Sequence, residues 1–137
     1  MVLYGQNSDR MKERRWHLVV GALFGAFGLA MAGRITGNET VGMLALTCAT
    51  MGILAVVPLF WTLPTAFLRG ASAAAGIAVI NSVGNLAGFI SPYMVGAIVD
   101  ATGSATNGLY AMAGFMTLGA LLTIPATLPV ASNAAVV

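Results

Sequence analysis

Four long apolar stretches alternate with short polar ones along the chain: residues 18–34, 41–68, 73–99 and 108–129. A helix needs ~20 apolar residues to cross a hydrocarbon core of ~30 Å, so each stretch can span a bilayer. The second and third hold about 27 residues each, more than one crossing requires, and are expected to tilt or kink. Pro58, Pro64 and Pro92 lie inside them, and each proline removes a backbone donor and crowds the preceding turn. The polar breaks are a loop over residues 6–17, the turn Thr36-Gly37-Asn38-Glu39-Thr40, the break Arg69-Gly70-Ala71-Ser72 and the turn Asp100-Ala101-Thr102-Gly103-Ser104. The pattern predicts an all-α polytopic membrane protein of four transmembrane helices.

Composition agrees. Of 137 residues, 58% are hydrophobic and 7% charged, with a mean hydropathy of +0.90. A soluble domain carries roughly 25% charged residues, so this chain has too few to cover a surface in water. The net charge is only +2, and Arg10, Lys12, Arg14 and Arg15 crowd the loop before the first span. That crowding is topological information and not a nucleic-acid patch. By the positive-inside rule, the 6–17 loop, Arg69 and the C-terminus are cytoplasmic, with Glu39 and Asp100 on the other side of the cell (inner) membrane. Arg34 is the exception, and it can snorkel to the outer interface near Glu39. Asp9, Lys12 and Glu13 stand where a signal peptide would be apolar. Cys48 is the single cysteine, so no disulfide framework exists, and a packing role suits it. Gly21 with Gly25, and Gly84 with Gly88, are spaced to let helix backbones approach closely in lipid.

No catalytic constellation can be assembled, and the chain is not expected to be an enzyme. His17 is the only histidine, and beside Trp16 it reads as an interfacial anchor. There is no His/Cys cluster for a metal, no cofactor motif, and no carboxylate inside a span. What remains is polarity at depth. Trp61 lies ten residues before Ala71 and Asn81 ten residues after it. In a helical hairpin, ten residues span ~15 Å, which puts both near the bilayer midplane. Asn81 and Asn85 are four apart and share a face. Such groups either bond to neighbouring helices or line a pathway.

The stretch WTLPTAFLRGASAAAGIAVINSVGNLAGFISPYMVGAIVDATGS resembles the late helices of major facilitator superfamily transporters, closest to the anion:cation symporters that carry organic acids. Gly5-Gln6-Asn7-Ser8-Asp9-Arg10, followed by Arg14-Arg15-Trp16-His17, resembles that family's cytoplasmic loop before its ninth helix. Lys12 stands where a glycine is usual, and the basic pair is displaced by one. The loop motif thus comprises Gly5, Asp9, Arg10, Arg14 and Arg15.

The resemblance implies a twelve-span fold of two six-helix halves, in which residues 1–137 supply the last four helices. It implies proton- or sodium-coupled symport of an organic anion such as a sugar acid or carboxylate. It places the tenth and eleventh helices at the central cavity and the ninth and twelfth toward lipid. In hexonate-type members a tryptophan on the tenth helix and an asparagine on the eleventh contact substrate. Trp61 and Asn81 match them, with Phe60 and Asn85 nearby. The first eight helices, with the arginine and acids expected to grip and couple, have no counterpart here. The chain is therefore expected to be a C-terminal fragment, a split or truncated product, that does not transport alone. Its partners would be a small organic anion, the lipid bilayer and the missing N-terminal helices.

Two other readings stand beside it. One is a small four-helix transporter working as a homodimer, like small multidrug exporters, but those need a glutamate in the first span, and residues 18–32 contain no acid. The other is a non-transport assembly partner that docks through the Gly84/Gly88 face.

Overall fold

Asn38 shows how the apolar stretches become helices. Its backbone is extended, and its Oδ1 accepts a hydrogen bond from the Val41 amide at 3.2 Å. That bond satisfies one of the donors a helix start leaves open, and Glu39 follows in the first turn, where a negative charge suits the helix dipole. A computed structural model describes residues 14–35, 37–68 and 70–126. Its elements are α1 (Arg14–Arg34), α2 (Glu39–Phe67), α3 (Ala71–Thr102) and α4 (Ala105–Ala126). There is no strand among the described residues, and all four helices are long and apolar enough to cross a membrane. The fold is all-α, as the sequence predicts.

The helix ends differ from the apolar boundaries because caps, not hydropathy, set them. α1 is described from Arg14, four residues before the apolar run opens at Leu18, and arginine is a good helix former although it is charged. α2 begins at Glu39 instead of 41 because Asn38 caps it, and stops at Phe67, where Leu68 turns extended. α3 continues past 99 to Thr102. There Gly103 adopts a left-handed φ of 68° and donates its amide to the Val99 carbonyl at 2.7 Å. α4 starts three residues before the expected 108 and is described to Ala126. Of the loop motif, Gly5, Asp9 and Arg10 lie outside the described residues. The helices run without a break through Pro58, Pro64, Pro92 and Pro125.

α1 is the hub. It packs along α2 and α4, and supplies Leu18, Val19, Ala22 and Ala26 to a small core completed by Ala49, Leu59, Ala113 and Ala120. Lipid tails are as apolar as leucine, so close van der Waals approach, and not escape from water, must hold such helices together. The approach is very close here. A Cβ built on Gly28 would lie 2.7 Å from the Ala49 nitrogen, and one on Gly52 would lie 2.6 Å from the Gly25 nitrogen. Gly21 and Gly25, the first predicted packing pair, thus receive Gly52 of α2.

The opposite stripe of α1 exposes Val20, Phe24 and Phe27. A resemblance-based expectation puts this helix toward lipid. In the structure it has one covered face and one apolar exposed face, because α2 and α4 of the same chain cover the small-residue side.

α3 is the outlier. No residue of it whose side chain is described is buried. It touches α4 and makes little contact with α2. Its ties to α4 are a Ser91 hydroxyl donating to the Met112 sulfur at 3.2 Å and Val95 seated against Gly108. Gly84 and Gly88, the second predicted packing pair, have nothing within 4 Å of where a Cβ would stand. Ser91 and Val95 continue the same face and do meet α4, so the pair differs from them in height along α3, where no described residue reaches it.

Candidate functional site: a cleft between α2 and α3

The sparse contact between α2 and α3 leaves a cleft of ≈ 530 Å³. Val56, Val57, Phe60 and Trp61 line it from α2, one helical face at i, i+1, i+4 and i+5. Val79, Ile80, Asn81, Val83 and Gly84 line it from α3. Three of the four residues expected from sequence therefore meet here: Phe60, Trp61 and Asn81. Phe60 and Trp61 form an edge-to-face pair, with ring centroids 5.7 Å apart and planes at 75°. Trp61 is half-buried, while Phe60 and Asn81 are exposed to the cleft side of the bundle.

Asn85 is not part of the lining. It shares Asn81's face but sits about 6 Å further along the helix, four residues at 1.5 Å each. The equal-depth expectation also shifts. Helix α2 ends at Phe67, so Trp61 is six residues (67 − 61), or ~9 Å, from its end, whereas Asn81 is ten residues (81 − 71), or ~15 Å, into α3. The two still share the cleft.

The polar inventory separates the asparagines from the hydroxyls. Thr47, Thr50, Thr62, Thr65, Ser82, Thr102 and Thr117 each donate to a carbonyl three or four residues back on their own helix, at 2.7–3.0 Å. Helical hydroxyls commonly satisfy themselves this way. A carboxamide has two donors and an acceptor and cannot do so along its own helix as easily. Neither Asn81 nor Asn85 has a hydrogen-bond partner among the described residues. No charged side chain lines the cleft, and the described residues hold no cluster of three or more metal-ligating side chains.

The sequence did not single out Val56, Val57, Val79 or Val83. Val56 and Val57 stand one turn before Phe60 and Trp61, and Val79 and Val83 flank Asn81 two residues to either side; nothing else in the sequence marked them. Gly84, read as a packing residue, is part of the lining instead. At the far end of α1, the Arg15 guanidinium stands over the Trp16 ring, 5.0 Å from its centroid, a pairing that suits a headgroup-level anchor.

The chain is 50% identical over 124 residues to a protein of Agrobacterium vitis named as a tartrate transporter. It is 37% identical over 123 residues to the quinolone resistance transporter of Acinetobacter baumannii, and 33% identical over 115 residues to the inner membrane transport protein RhmT of Escherichia coli K12. These matches cover 90%, 90% and 84% of this chain, but only 27%, 28% and 26% of the relatives. The chain thus spans a little over a quarter of their length. No protein-family model and no solved structure matches it. With four membrane-length helices and this similarity, the chain is an integral membrane protein that is similar, over most of its length, to about a quarter of larger proteins named as transporters.

Proposed function

We propose that the chain forms the last four helices of a twelve-helix secondary transporter for an organic anion, and that the cleft is one wall of its substrate site. The observation that carries this reading is the meeting of Trp61 and Asn81 at one cleft, with the Asn81 carboxamide left without a partner among the described residues. Polar groups inside a membrane tend to mark pathways, because an unmet donor there is costly unless water or substrate meets it. The A. vitis relative's name, with its dicarboxylic acid, supports the organic-anion class.

In this reading α2 and α3 correspond to the cavity-facing tenth and eleventh helices. Trp61 packs against the substrate and can donate one hydrogen bond. Asn81 donates and accepts, and Phe60 and Asn85 stand beside them. Alternating access requires a second set of helices rocking against this one around a midplane site. The charge that holds the anion and the group that couples proton or sodium belong to that opposing set. The chain by itself does not transport. The loop before α1 and the C-terminus face the cytoplasm of the inner membrane.

The test is uptake of a radiolabelled organic anion by a full-length transporter carrying this sequence. Asn81→Ala and Trp61→Ala are expected to lower uptake at unchanged membrane abundance. Unchanged uptake in Asn81→Ala refutes the site, and loss of protein alone in Trp61→Ala makes Trp61 structural.

A further inference from the structure

Pro64 stands one turn beyond Phe60 on the cleft-lining side of α2. We infer that Pro64 is a positioning residue for specificity: having no N–H, it leaves the Phe60 main-chain carbonyl open in the cleft, where a hydrogen-bond donor of the ligand is received. The inference rests on the substrate-site reading above.

Three observations carry it. First, α2 runs unbroken through Pro64, so the Phe60 carbonyl faces a residue with no amide hydrogen to give. Inside a span, a carbonyl freed in this way has to be met by a side chain, water or another donor. Second, the hydroxyls at hand go elsewhere. Thr62 donates to the Leu59 carbonyl at 2.7 Å. Thr65 donates to the Trp61 carbonyl at 3.0 Å and to the Thr62 carbonyl at 3.2 Å. These bonds fall on either side of the Phe60 carbonyl and miss it, although Leu59, Trp61 and Thr62 each have an ordinary amide four residues on. Third, the place is particular. The prolines at 58, 64, 92 and 125 free the carbonyls of Leu54, Phe60, Gly88 and Leu121, and of these residues only Phe60 lines the cleft. Asn81 stands on the opposite wall, its carboxamide uncommitted among the described residues. A hydroxyl both donates and accepts, so one ligand hydroxyl between the walls can give its hydrogen to the Phe60 carbonyl and take one from Asn81.

The test uses the full-length transporter carrying this sequence, with uptake of a radiolabelled organic anion inhibited by malate or by succinate. The two acids differ by one hydroxyl. Malate is expected to inhibit about tenfold more tightly than succinate, the scale of a hydrogen bond made away from water. Pro64→Ala supplies the missing N–H and ties up the carbonyl, so it should remove most of that difference and leave inhibition by succinate nearly unchanged. Lactic acid placed at position 64 by nonsense suppression has an ester oxygen where alanine has its N–H, and no ring; it should restore the difference. If Pro64→Ala weakens both acids alike, or the ester does not restore the difference, Pro64 only shapes the helix and the inference is overturned. Equal inhibition by the two acids in the parent overturns it as well. If Trp61→Ala and Asn81→Ala weaken both acids while Pro64→Ala leaves their ratio alone, this inference fails and the site reading stands. If none of the three variants alters inhibition, both fail.

Discussion

Replacing Gly52 by alanine tests the packing argument with a single methyl group. The new Cβ would stand 2.6 Å from the Gly25 nitrogen, 2.8 Å from its Cα and 2.9 Å from the Gly21 carbonyl oxygen. All three are backbone atoms and cannot rotate away. Non-bonded heavy atoms settle at about 3.5–4.0 Å, so α1 and α2 must part by roughly 1 Å along their crossing. Overpacking of this kind costs about 1–3 kcal/mol. Alanine's usual advantage over glycine in a helix offsets little of this, because spans in lipid stay helical when the bundle separates.

Gly119→Ala is the control, since nothing lies within 4 Å of a Cβ there; it should fall within about 0.5 kcal/mol of the parent. Gly25→Ala should be intermediate: its nearest obstacle, at 2.6 Å, is the Met116 methyl, the far end of a flexible side chain. The assay is unfolding in dodecylmaltoside micelles by added SDS, followed by tryptophan emission. The order Gly52→Ala worst, Gly25→Ala next and Gly119→Ala neutral supports the reasoning. Equal midpoints for Gly52→Ala and Gly119→Ala refute it.

Asn38→Ala removes the α2 cap and should cost about 1 kcal/mol in the same titration, with Asn38→Asp nearly neutral; an unaffected midpoint in the alanine variant would mean that the cap contributes nothing. A double-mutant cycle of Ser91→Ala and Met112→Leu should return a small favourable coupling, at most about 0.6 kcal/mol, as interhelical bonds in membranes do on average; zero coupling removes the Ser91–Met112 tie. Reporter fusions test the orientation. Alkaline phosphatase placed in the turn at Gly37 should be active outside, and a fluorescent protein at the C-terminus should fluoresce inside; the reverse pattern overturns the positive-inside assignment.

Hydropathy made the four helices legible, because a span must be apolar over a fixed length. It did not make their ends legible. Asn38 and Gly103 set two of them through backbone hydrogen bonds that an apolar boundary does not register. Packing was half legible. Gly21/Gly25 and Gly84/Gly88 have the same spacing, yet the first pair receives Gly52 and the second meets nothing. A small-residue pair states that a backbone can come close, but not which one does. Ala49, Gly28 and Gly52 became visible only once α2 was laid on α1. Trp61 and Asn81, which the structure brings to one cleft, stood out in the sequence through the cost of polar groups in apolar helices. Asn85 carried the same signal and falls outside the cleft, because face and height are separate coordinates and four residues change the height by a full turn.

The helix that carries Asn81 is also the least packed. The small core lies among α1, α2 and α4, and α3 holds on through Ser91, Val95 and their partners on α4. Asn81 is ten residues from Ser91 (91 − 81), toward the uncovered end, with no described partner to lose. Truncating it leaves no orphaned group and opens no cavity, the two mechanisms that make substitutions costly. Asn81→Ala should therefore stay within about 0.5 kcal/mol of the parent in the SDS titration while it lowers organic-anion uptake in the full-length transporter. This separation makes the ligand test readable. A loss of binding with stability intact can only be assigned to the carboxamide. A large loss of stability would instead show that Asn81 holds α3 to the bundle, and that the cleft is a gap between helices and not a site.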